Sequence, residues 1–125
     1  MAQLNSKKSR PASASSIHRE LLACLVRAGE LNIEWKLVQR TALVDSRLPK
    51  SARLAIALVS SRAQSKCVAV ADAVIPGMLC LVRGERKQAT RLLRSCAGHM
   101  AFLSAADRTV AAVIRKSTSR TRHGN

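Results

Sequence analysis

Only two of the chain's 125 residues, Trp35 and Phe102, carry large rings, and there is no Tyr, yet 47% of the residues are hydrophobic. A core built under that restriction has to be Leu, Val, Ile and Ala packed at close range. Ala and Leu are strong helix formers, whereas strands draw on β-branched and aromatic side chains to fill a pleated face. The shortage of rings therefore selects an all-α fold, a small single-domain helical bundle. A chain of this length buries roughly two thirds of its unfolded surface, enough for one core.

The ends differ from the middle. Residues 1–16, MAQLNSKKSRPASASS, hold five Ser, the cations Lys7, Lys8 and Arg10, and no acid. Residues 115–125 carry Arg115, Lys116, Arg120 and Arg122, again without an acid. Neither stretch offers much apolar area to offset the entropy of ordering, so both read as disordered basic arms around a helical domain at 17–114. The formal net charge is +15, from 22 Lys and Arg against 7 Asp and Glu. The arms account for less than half of that excess, so the folded part is basic too. The Ser-rich, acid-free start also meets the compositional description of an organelle transit peptide. No uninterrupted apolar run is long enough for a membrane span, and no secretory signal opens the chain, so the expectation is an intracellular protein, cytoplasmic or nuclear, with no membrane partner.

Within the folded part, Ser16 is placed to cap a helix over 17–28, with Ile17, Leu21, Cys24, Leu25 and Ala28 on one stripe and Gly29 ending it. Asn32 then caps a second helix over 33–44 whose face is Ile33, Leu37, Val38 and Leu43, and Ser46 and Pro49 mark a break and restart. From 50 onward SARLAIALVSSRAQ reads as a helix apolar nearly all round. The stretch near residues 66–83, which contains Pro76-Gly77, admits either a helix to about 74 or a short β-hairpin, so the fold could be mainly α with that one hairpin. Ala89, Leu92, Leu93, Cys96, Ala97 and Met100 define one face of a helix over 85–103. Ser104 and Asp107 resemble a capping box opening a last helix over 105–116, with Ala106, Val110, Val113 and Ile114 inward. No repeat period stands out along the chain.

Catalytic patterns are absent. The seven acids are scattered singly, no G-x-S-x-G elbow accompanies the three His residues, and the five glycines form neither a P-loop nor a dinucleotide fingerprint. No catalytic residue is assigned and the chain is not expected to be an enzyme. Cys24, Cys67, Cys80 and Cys96 form no C-x-x-C pair. Cys96 and His99 have half of a metal set at helical spacing, but Cys at apolar stripe positions is ordinarily a small buried hydrophobe, so no metal or other cofactor is assigned.

One constellation stands out. Arg83, Arg86, Lys87, Arg91 and Arg94 lie within 12 residues, and Lys87, Arg91 and Arg94 follow i, i+4, i+7, opposite the Leu92–Leu93 stripe. A solvated helix face is the ordinary fate of such a run. Here Glu85 is the only acid nearby, so pairing along the helix cannot neutralise it. Guanidinium groups pair bidentately with phosphate oxygens and release condensed counterions on binding. The expected partner is therefore nucleic acid, RNA ahead of DNA, held through its phosphate backbone by this ridge together with Lys7, Lys8, Arg10, Arg115, Lys116, Arg120 and Arg122. Two rings cannot furnish a base-stacking platform while also serving the core, which argues against single-strand readers. An adaptor docking on an acidic protein and a subunit of a larger ribonucleoprotein assembly are the competing readings.

Overall fold

The computed structural model describes residues 13–124, with side chains described through Thr118. Three long helices make up the bundle: α1 (Ala14–Val44), α2 (Lys50–Val82) and α3 (Arg86–Gly124). Among the described residues there is no strand, so the hairpin alternative near 66–83 does not form. α2 packs along both neighbours, while α1 and α3 touch over a shorter stretch.

The buried positions recur every seven residues, a period that the sequence reading missed. In α1 the series is Leu21, Ala28, Trp35 and Ala42, with Ile17 buried one turn before it. In α2 two such series interleave: Ile56, Ala63, Val70 and Gly77 with Ser60, Cys67 and Val74. In α3 the series is Ala89, Cys96, Leu103, Val110 and Ser117. A seven-residue repeat keeps one seam of each helix facing its partners and favours left-handed supercoiling. Many of these seam residues are Ala, Cys, Ser or Gly, so the helix backbones can approach closely.

That register explains where the structure departs from the sequence reading. Gly29 does not end a helix: α1 runs through it, with Ser13 rather than Ser16 as its N-cap, the Ser13 hydroxyl accepting from Ser16 N at 3.1 Å. Once the helix is continuous, Leu21 and Ala28 set its phase, and the next inward positions are Trp35 and Ala42. Ile33, Leu37 and Leu43, expected in the core from a restart at Asn32, fall outside and are about half exposed or more. Asn32 lies in mid-helix with its Oδ1 buried and unpartnered. Likewise Ser104 opens no new helix. It is an exposed residue within α3, because Leu103, Ala106 and Val110 continue the seam of Ala89 and Cys96.

The Pro76-Gly77 pair is also helical rather than a turn. Pro76 is exposed, so the Asp72 carbonyl that it leaves without a helical partner faces the solvent side. Gly77 is buried where all three helices meet. A Cβ there would lie 3.0 Å from Leu21 Cδ1 on α1 and 3.7 Å from Leu92 Cβ on α3. The turn comes later, at Gly84, whose φ of 76° is left-handed. Glu85 N donates to Cys80 O at 2.8 Å and Gly84 N to Leu81 O at 3.1 Å, a Schellman closure that ends α2 and starts α3.

The expected tail boundaries shift as well. Residues 13–16 belong to the start of α1, and α3 continues past 115 to Gly124 with Ser117 buried against the start of α2. Residues 1–12 lie outside the described residues. Between α1 and α2, the Asp45 carboxylate accepts from Arg47 N, Nε and Nη2, each at 3.0 Å, and these hydrogen bonds hold its carboxyl below the usual range. Register between α1 and α2 is pinned by Gln64 Nε2 donating to Gln39 Oε1 at 2.9 Å and by Gln39 Nε2 donating to Ala57 O at 3.2 Å.

Candidate nucleic-acid interface

The turn at Gly84 and the first three turns of α3 bring the ridge together. Arg83 caps the end of α2, Arg86 is the first residue of α3, and Lys87, Arg91 and Arg94 follow on its outer side. All five are exposed. Gly84, Glu85, Arg86, Lys87, Gln88 and Arg91 line a shallow open depression of about 560 Å³.

Two electrostatic features mark this end of α3. Its first turn contains no acid and opens with Arg86 and Lys87. Cations there oppose the positive end of the helix dipole, an unfavourable placement that an anion would relieve. In addition, the ion pairs among the described residues are Arg27–Glu30 at 3.7 Å and Arg47–Asp45 at 3.0 Å, neither involving the ridge. Glu85, the nearest acid, forms no ion pair with it.

The seven-residue register adds Arg108 to this surface and puts Arg115 in line with Lys87 and Arg94. Lys87, Arg94, Ala101, Arg108 and Arg115 occupy one position of the repeat, opposite the buried seam, and all are exposed. Spacings of three and four within one short helix reach only from Lys87 to Arg94 and leave Arg108 aside. Spacings of seven and fourteen carried the signal. Lys116 is also exposed on α3, and Arg120 and Arg122 fall on its helical backbone beyond the described side chains. Lys7, Lys8 and Arg10 lie outside the described residues. Large aliphatic side chains are scarce on this face. Phe102 is partly covered by Lys66, whose Nζ lies 5.2 Å from the ring centroid.

A second concavity, a cleft of about 460 Å³, lies between α1 and α3. Glu34 and Asp107, distant in sequence, both line it, together with Arg27, Trp35 and Arg108. Both acids are exposed.

The four cysteines are unpaired, and no group of three His, Cys, Asp or Glu gathers in metal-binding geometry among the described residues. Cys96 Sγ donates to Val70 O at 3.8 Å across the α2–α3 contact, a packing role. Burial pushes the Cys67 and Cys96 thiols up, and burial together with the Glu20 charge does the same at Cys24.

One helix changes the surface description. Although no uninterrupted apolar run reaches membrane-spanning length, α2 as a whole is long and apolar enough to cross a bilayer, by length and composition only. About 33% of its most apolar stretch is buried within the bundle. No protein-family model, curated protein or solved structure matches the chain.

Proposed function

We propose that this protein binds nucleic acid, structured RNA in preference to DNA, through phosphate contacts made by the outer face of α3. The observation that carries this reading is the run of exposed cations from Arg83 to Arg94, free of ion pairs and set around a helix first turn that holds no acid, with Glu85 just before it as the one acid nearby. Arg91 and Arg94 supply planar forks for phosphate oxygens. Arg83, Arg86 and Lys87 surround the unsatisfied N–H groups of the first turn, where an anion gains from both charge and donors. Arg108 and Arg115 continue the contact along a backbone. The face offers no aromatic platform, which supports recognition of backbone and shape over unstacked bases.

The test replaces Arg86, Arg91 and Arg94 together with Gln. All three are exposed, so the thermal midpoint should stay within the small range of surface substitutions. Affinity for duplex RNA should fall, and the dependence of log affinity on log salt should flatten by about 0.9 or somewhat less for each phosphate contact removed. An unchanged slope takes the ridge out of the interface. An equal loss on a polyglutamate chain of matched charge would favour the adaptor reading instead.

A further inference from the structure

A different face of the molecule is apolar and left uncovered by the bundle. The outward positions of α2 form one continuous stripe: Leu54, Leu58, Ser61, Ser65, Val68, Asp72, Ile75, Leu79 and Val82. The six aliphatic members are each at least half exposed, from 50% at Leu79 to 85% at Val82. They follow alternating four- and three-residue steps, the spacing with which one helix meets another. Neither α1 nor α3 covers this stripe.

We infer that the stripe pairs with the same stripe of a second copy, the two α2 helices antiparallel about a two-fold axis near Val68. The pattern is self-complementary in that orientation. Leu54 meets Val82 and Leu58 meets Leu79 of the copy, while Ile75 falls against Ser61, one turn from Leu58. Asp72, the one charged member, meets the Ser61–Ser65 stretch of the copy, where two hydroxyls can donate to its carboxylate and exposed Arg62 flanks the seam. The small serines also let the helix axes come close. A parallel pair would set Asp72 against Asp72 in an otherwise apolar layer, and a lipid surface would have to desolvate that carboxylate without a partner. Six half-exposed aliphatic side chains of on the order of 100 Å² each cover about 1,200 Å² in a pair, the lower edge of stable interfaces. The bundles' basic α3 faces remain outside the contact.

The experiment measures the mass of the full chain by sedimentation, after nuclease treatment and in high salt so that nucleic acid cannot bridge copies. The expected result is a concentration-dependent dimer. Ile75→Arg should weaken it about tenfold or more while leaving the helical content unchanged. Orientation is read by cysteine cross-linking under a mild oxidant, with the unsubstituted chain as baseline. Val68→Cys should cross-link, whereas Leu54→Cys should not, because at about 1.5 Å per residue the two sites lie about 40 Å apart in an antiparallel pair. A monomer throughout, including one that floats with phosphatidylcholine vesicles, overturns the inference. So does a dimer indifferent to Ile75→Arg, or one that cross-links at Leu54→Cys as readily as at Val68→Cys.

Discussion

Replacing Gly29 with Ala separates a continuous α1 from two shorter helices by the sign of the effect. In the structure Gly29 sits in mid-helix, its φ is not positive, and a Cβ added there meets nothing within 4 Å. Alanine in a helix interior is favoured over glycine by about 1 kcal/mol, so the variant should be stabilised by about that amount. For a chain of this size that is roughly a 4 °C rise in thermal midpoint. If Gly29 instead terminated a helix in a left-handed conformation, Ala would incur about 1 kcal/mol of strain, and the two outcomes would differ by about 2 kcal/mol. Gly84→Ala supplies an internal reference. Its φ of 76° is left-handed and its surroundings are open, so it should lose about 1 kcal/mol from backbone strain alone. Urea titrations followed by far-UV circular dichroism measure both variants against the parent. A drop for Gly29→Ala comparable to that of Gly84→Ala would refute the continuous helix and the core phase derived from it.

The helical class was legible because the reasoning rested on composition, which does not depend on phase. Boundaries were less so. Gly29, Asn32, Ser104 and Pro76-Gly77 are local break signals worth about 1 kcal/mol each, or about 3 for proline. Each sits on a helix whose buried seam continues on both sides, and tertiary packing over a whole face outweighs a single local preference. The seam itself was hidden by its composition. Ala28, Ala42, Ala63 and Ala89 contribute little to a hydrophobic pattern, while the larger Ile33, Leu37, Leu54 and Ile75 point outward, so large apolar residues mark the true stripe over 17–28 and a false one over 33–44. Leu21 and Ala28 held the information, had their spacing of seven been carried past Gly29.

The site divides in the same way. The ridge from Arg83 to Arg94 was visible because it is dense and local. Its extension to Arg108 and Arg115 requires knowing that one helix spans the whole region. That Glu34 and Asp107 line one cleft is a tertiary fact, since its walls come from helices separated in sequence by all of α2. The apolar face of α2 was half seen: the sequence showed a helix apolar nearly all round, and the structure shows which positions its neighbours leave uncovered.

Core depth orders the effects of truncation: Ile56→Ala, at a site 1% exposed, should cost about 2–5 kcal/mol, and Leu93→Ala, only partly buried, about half that. Equal losses in parallel urea titrations, or a greater loss at Leu93, would mean that the phase of α3 is rotated. The buried thiols give stability a dependence on alkaline pH. Burial raises Cys67 and Cys96 above the ordinary 9.0, so the folded chain keeps protons that the unfolded chain releases once pH passes that value. The unfolded state then binds fewer protons and stability declines with rising pH, whereas well below 9.0 both states are protonated and these groups contribute no slope. Urea midpoints measured in reducing buffer from about pH 8 to about pH 10 should therefore fall, and Cys96→Ala should flatten the fall even though its lost packing lowers the whole curve. A decline of the same steepness in that variant would show that Cys96 ionises as readily folded as unfolded, which is incompatible with its place in the α2–α3 seam.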